Sequence, residues 1–196
     1  MKKKEKLSVD IPTIEEIENE QKRLRHRAVY QRTLRGTIAV LLVVAAVSVL
    51  VATLWMPVLQ IYGSSMSPTL EAGQIVVSVK TNQLKTGEVV AFWQGNKLLI
   101  KRVIAGPGQW VDMDMEGNVT VDGQTLDEPY LTEKALGNYD IDLPHQVTEA
   151  HWFLMGDNRD TSVDSRSTAI GDISKDQIEG QIIFRIWPLN KIGSIQ

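Results

Sequence analysis

The sequence predicts a mostly β fold, an antiparallel-sheet domain preceded by one amino-terminal transmembrane helix, and three observations carry that prediction. Residues 37–56 form a run of 20 positions without a charge, about what a helix needs to cross a ~30 Å hydrocarbon core. Beyond it, short runs rich in Val, Ile, Phe and Trp alternate with Gly- and Asn-containing turns, the pattern of β-hairpins. Neither a helical repeat nor a strand–helix–strand rhythm interrupts those runs.

With 196 residues, 43 % hydrophobic and 23 % charged, the chain can bury one good core and carry accessory segments. It contains no cysteine, which excludes disulfides, thiolate catalysis and cysteine-ligated zinc. The net charge of −3 hides an asymmetry. Residues 1–35 hold ten Lys/Arg against six Asp/Glu, a balance of +4, and residues 36–196 hold eleven against eighteen, a balance of −7. The break falls at the apolar run, so three segments are expected: a basic, helical cytoplasmic tail (1–35), a transmembrane helix (36–56) and an extracytoplasmic β-rich domain (57–196).

The tail opens on a lysine-rich start and continues as a helix. Thr13 followed by Glu16 fits a capping box, and Ile14, Ile17, Leu24 and Ala28 recur at roughly helical spacing. Lys22, Arg23, Arg25, Arg27, Arg32 and Arg35 crowd the near side of the apolar run, and the next cation is Lys80. The positive-inside rule therefore puts the tail in the cytoplasm and the following domain outside, with Trp55 as an interfacial anchor. A cleaved signal peptide competes with this reading, but the charged region ahead is too long and no clean small-x-small site follows.

The expected strands are Val58 to Tyr62, Gln74 to Lys80, Glu88 to Trp93, Lys97 to Ala105, Gln109 to Met113, Val119 to Val121, His151 to Met155 and Gln181 to Ile186. Turn signals at Gln94-Gly95-Asn96, Gly106-Pro107-Gly108, Glu116-Gly117-Asn118 and Asp122-Gly123 separate several of them. Residues 127–149 read as a polar insertion with two prolines and little periodicity.

Three stretches can carry chemistry. Ser64 to Leu70, with three serines and a proline, makes no good helix and reads as a turn holding hydroxyls on a fixed backbone. Ser65 lies only nine positions beyond Met56, so it stays within roughly 30 Å of the bilayer. In the strand Lys97 to Ile104, period two puts Leu99, Lys101 and Val103 on one face and Leu98, Ile100, Arg102 and Ile104 on the other. One cation then faces a buried side, and only a lysine can lose its proton near neutral pH when buried. A half-exposed strand whose two cations snorkel to water is the competing reading. The third stretch, Gly156 to Arg166, packs three carboxylates, two guanidiniums and two serines into eleven residues, so dense pairing is expected. An EF-hand loop does not fit, because Ser162 and Thr168 stand where it needs Gly and Glu.

Taken in order, these stretches resemble the type I bacterial signal peptidases. Ser65 to Leu70 is similar to that family's Ser-Met-x-Pro-Thr-Leu box. Lys101, Arg102, Pro107 and Gly108 match its Lys-Arg and Pro-Gly box, and residues 156–166 match its Gly-Asp-Asn-Arg-x-x-Ser-x-Asp-Ser-Arg box throughout. The resemblance covers residues 37–188 and implies a sheet domain of the signal peptidase type behind a membrane anchor. It also implies a serine endopeptidase that removes signal peptides from preproteins after Ala-x-Ala type sites. Ser65 would be the nucleophile and Lys101 the general base. Ser162 would orient the lysine, and Asp164 and Arg166, with Asp157 and Arg159 nearby, would pair to hold their loop. Ile61, Tyr62, Met66, Leu70, Leu99 and Ile100 would wall small pockets for the substrate. Gly63 departs from those members that offer a hydroxyl to the oxyanion from this position.

The implied partners are preproteins bearing signal peptides and the lipid bilayer. No metal or nucleotide motif occurs, so no cofactor and no nucleic-acid partner is expected. A specialised signal peptidase with few substrates, and a membrane-anchored binding domain without activity, remain as alternatives. A histidine-based hydrolase fits poorly. Gly63-Ser64-Ser65-Met66-Ser67 breaks the G-x-S-x-G elbow, His26 falls in the tail, and His145 and His151 read as surface and strand-start residues. Self-cleaving repressors share the serine-lysine logic, but the membrane span argues against them.

Overall fold

A computed structural model describes residues 13–81 and 83–195. The lysine-rich start and the side chain of Trp55 lie outside the described residues. The chain divides into two compact units, one ending at Val51 and the other beginning at Ala52.

Helix α1 runs over Ile14–Trp55, 42 residues, or about 63 Å at 1.5 Å per residue. Its start is fixed by the expected capping box. The Thr13 amide donates to Glu16 Oε2 at 2.8 Å, and the Glu16 amide to Thr13 Oγ1 at 3.4 Å, which satisfies donors that have no partner inside the helix. Within it, Thr37 and Ser48 return their hydroxyls to the carbonyls of Thr33 and Val44, so no polar group of these side chains is left open to an apolar surrounding. Among the described residues, α1 is the one helix long and apolar enough to cross a membrane.

Among the described residues the second unit holds twelve strands: β1 (Val58–Gln60), β2 (Ile75–Val79), β3 (Val89–Gln94), β4 (Lys97–Ala105), β5 (Trp110–Met113), β6 (Val119–Val121), β7 (Gln124–Thr125), β8 (His145–Gln146), β9 (His151–Met155), β10 (Ile173–Ser174), β11 (Ile178–Trp187) and β12 (Gly193–Ser194). One sheet has the order β1-β2-β11-β3-β4-β9-β10, with β12 added beside β11, and a second has the order β7-β6-β5-β8. All pairings among the described residues are antiparallel. The β6–β7 hairpin turns at Asp122 and Gly123, with φ of 52° and 76°. Two successive positive φ values are what a two-residue turn of this hand requires, and Asp-Gly tolerates them.

Alternation along β4 builds two cores at once. Leu99 and Val103 pack with Val90, Phe92, Leu154 and Ile173, whereas Leu98 and Ile100 pack with Val89, Ala91, Ile61 and Met66. A third cluster, around Ile104, Val111, Val119, Phe153 and Met155, joins the small sheet to the large one. The long central strand β4 is thus held on both faces, which fixes Lys101 and Arg102 at its middle. Both cations are buried, and neither snorkels to water.

Candidate active site

The turn of residues 64–70 hangs between two anchors. Met66 and Leu70 are buried among Ile61, Val76 and Ile182, and the Leu70 amide donates to the Met66 carbonyl at 2.8 Å. Ser65 is held from its other side by the Asn158 amide, which donates to the Ser65 carbonyl at 3.0 Å. Among the described residues the Ser65 amide donates to no protein acceptor.

Opposite this turn, β4 delivers Lys101. Its Nζ stands 2.7 Å from Ser65 Oγ, although the two residues are 36 positions apart in the chain. Burial pushes the Lys101 ammonium below the ordinary lysine range, Asp164 pulls it back up, Arg166 lowers it and Asp157 raises it. Desolvation is the largest of these effects, because a low-dielectric surrounding disfavours the charged form. An amine so placed accepts a proton more readily from a neighbouring hydroxyl than from bulk water, since the two heavy atoms are already at hydrogen-bond distance.

The loop of residues 156–166 supports that pair through three buried ion pairs. Arg166 binds Asp164 through Nε and Nη2, at 2.8 and 2.9 Å, the pairing that the family resemblance implies. Asp157 and Arg159 do not pair with each other. Asp157 receives Arg102 in a two-pronged contact, at 2.9 and 2.7 Å, so the residue beside Lys101 in β4 is bolted to the loop. Arg159 turns instead to Glu128, whose two carboxylate oxygens accept from its two terminal nitrogens. Each of the two therefore finds its counter-charge on a different element, Asp157 on β4 and Arg159 on the insertion.

Ser162 also departs from expectation. Its Oγ is buried and has no hydrogen-bond partner among the described residues, so it does not bond Lys101. The hydroxyl lies against the Cα of Gly156, where a Cβ would collide with it and with the Ser65 carbonyl. Gly156 therefore permits the close approach of the loop to the serine turn.

A groove of about 380 Å³ opens at Ser65 and Lys101, between residues 58–63 and 98–101. Ile61, Tyr62, Met66, Leu99 and Ile100, five of the six residues named for pocket walls, line it. Leu70 does not: it is fully buried in the core, because the turn that exposes Ser65 folds Leu70 back beneath it.

The unreadable insertion at 127–149 supplies what the sequence concealed. Glu128 is buried, accepts from the Tyr130 hydroxyl at 3.0 Å and pairs with Arg159. The Tyr130 ring lies under Arg102, 3.8 Å from Cζ to centroid. The Leu136 carbonyl accepts from Arg166 at 2.7 Å, and Asp140 receives the Thr168 amide and hydroxyl. The insertion is a clamp on the loop. The one sequence signal that could have found it is a glutamate and a tyrosine flanking Pro129, in a segment that otherwise lacks a core pattern.

A profile of the family described as signal peptidase, peptidase S26, matches residues 34–187. Signal peptidase IB of Staphylococcus aureus (strain COL) is 36 % identical over 151 residues, covering 67 % of this chain and 78 % of that one. Signal peptidase I of Bacillus licheniformis is 32 % identical over 170 residues, covering 79 % and 88 %. A solved signal peptidase I from Enterococcus faecalis V583 aligns at a TM-score of 0.42 and 23 % identity, over 51 % of this chain and 97 % of that one. The family profile and the two curated relatives make this chain a hydrolase of peptide bonds, an endopeptidase. It belongs to the signal peptidase family, peptidase S26.

Proposed function

We propose that this chain is a membrane-anchored endopeptidase that removes amino-terminal signal peptides from preproteins after small residues, with Ser65 as nucleophile and Lys101 as general base. The observation that carries the proposal is the 2.7 Å approach of Lys101 Nζ to Ser65 Oγ in a setting that favours the neutral amine.

Neutral Lys101 takes the Ser65 proton as Oγ attacks the scissile carbonyl. The uncommitted Ser65 amide is a donor for the oxygen of the tetrahedral intermediate. Lys101, now an ammonium, returns its proton to the departing amine, which leaves an ester between Ser65 and the signal peptide. A water then gives its proton to Lys101 and attacks that ester, so that the signal peptide departs as a carboxylic acid and Ser65 recovers its hydrogen. The paired side chains Asp157, Asp164 and Arg166 act by holding this geometry.

The substrate would enter as an extended strand. β1 is an edge strand, paired on one side only by β2, and an unpaired edge can accept another chain. Side chains before the cut would fall into the groove walled by Ile61, Met66, Leu99 and Ile100, where apolar surface suits alanine. α1 would hold the enzyme in the bilayer that holds the signal peptide, with the basic segment 22–35 on the cytoplasmic side.

The test is cleavage of a preprotein with an Ala-x-Ala leader in detergent micelles, followed by amino-terminal sequencing of the product. A new terminus directly after the second alanine, absent with Ser65→Ala, is the expected result. A product cut elsewhere, or activity retained in Ser65→Ala, would refute the proposal.

A further inference from the structure

A second cavity, of about 440 Å³, lies beside the serine turn and belongs to no part of the groove described above. One wall is Ser67 and Pro68, a second is Thr132, Glu133 and Ala135 of the insertion, and the floor is residues 157–160. The groove and the cavity share no lining residue but flank the same turn, Ser65 and Met66 lining the one and Ser67 and Pro68 the other. The groove contains Ser65 itself, and Asn158, in the cavity floor, donates its amide to the Ser65 carbonyl.

If the groove takes the residues before the cut, the chain after the cut must run out past the other side of Ser65. An extended chain advances ~3.3 Å per residue, so the first few residues of the mature protein reach this cavity. Its walls are preformed, because Glu128 and Leu136 tie the insertion to Arg159 and Arg166, and a preformed site costs little ordering on binding.

The charge of the cavity is selective. Asp157 is neutralised by Arg102 and Arg159 by Glu128. Glu133 and Asp160 are exposed and have no ion pair or hydrogen bond among the described residues. Two uncompensated carboxylates therefore face whatever enters.

We propose that the cavity between Ser67-Pro68 and residues 132–135 is the subsite for the leaving segment, and that Glu133 and Asp160 make it favour cationic side chains in the first mature residues. The cavity places the segment and the carboxylates set its preference. The inference rests on the signal-peptide cleavage proposed above.

Two preproteins identical except for Lys or Glu at mature positions two to four test it, in detergent at low ionic strength. The intact chain cleaves the Lys form roughly five- to ten-fold more efficiently, the scale of two exposed charge pairs, and the preference shrinks as salt is raised. Glu133→Lys with Asp160→Lys brings the ratio to one or inverts it, whereas Asp142→Lys with Asp176→Lys, equal in charge but outside the cavity, leaves the ratio as it was. Each ratio is measured within one preparation, so any loss of folded protein cancels. No preference in the intact chain, or a ratio untouched by Glu133→Lys with Asp160→Lys, overturns the inference while cleavage itself stands. Failure of the intact chain to cut either substrate overturns the peptidase reading and this inference with it.

Discussion

Arg102 is sandwiched between the Asp157 carboxylate, at 2.7 Å, and the Tyr130 ring, 3.8 Å from its centroid. The residue next to Lys101 is thereby tied to the loop of residues 156–166 and covered by the insertion at once. Burial of a guanidinium is tolerated only when its charge is paired and its donors are filled. Arg102 meets that condition, with further bonds to the Gly87 carbonyl and Thr69 Oγ1. The strand position of Lys101 is fixed as a by-product.

Glu128 is the second counter-charge in this arrangement, and its replacement has a defined consequence. In Glu128→Gln the Arg159 guanidinium stays buried without an anion, which costs about 3–5 kcal/mol for a pair of this kind. Urea denaturation is expected to show a midpoint well below that of the unaltered protein, with peptidase activity falling alongside it. A midpoint within error of the parent would mean that the insertion does not clamp the loop.

Ser162 gives the opposite expectation for stability. Its buried hydroxyl has no partner, so Ser162→Ala removes an unsatisfied polar group rather than a hydrogen bond. Thermal melting is expected at the same temperature or higher, with the change within about 1 kcal/mol. A large loss of stability would show that the hydroxyl bonds a group in solution after all.

The pH dependence follows from Lys101. Burial holds its pKa below the ordinary value, which is about 10.4 for a free lysine, and only the neutral amine can act as base. Cleavage rate should therefore rise with pH, with its midpoint below that value, and be lost as pH falls through the Lys101 pKa. The sign for stability is the same. Between the folded and unfolded pKa values the unfolded chain binds more protons, so stability rises with pH across that window, and Lys101→Met removes this contribution. A rate profile flat down to acidic pH would contradict the assignment of the base.

The architecture was legible where the pattern was local. Lys97 to Ala105, Val119 to Val121 and His151 to Met155 alternate or run apolar between turn residues, and all three are strands with those bounds. The strands of two residues, β7, β8, β10 and β12, are too short to show a period. Ser65, Lys101 and the loop of 156–166 stood out because each is an unusual cluster of reactive types. Their partners did not: Arg102 and Asp157 are 55 residues apart, and Arg159 and Glu128 are 31 apart, so nothing in spacing links them. Leu70 was misassigned to the groove because a turn has no period from which to read an inward or outward face.

The most direct test compares the intact chain with Lys101→Met, a substitution of similar length without an amine, on an Ala-x-Ala preprotein. The account predicts that cleavage falls at least ~10³-fold, a scale set by loss of the base in such sites, while the melting temperature at neutral pH stays the same or rises because the cost of desolvating the amine is gone. Cleavage by a folded Lys101→Met protein at a rate near that of the intact chain would contradict it.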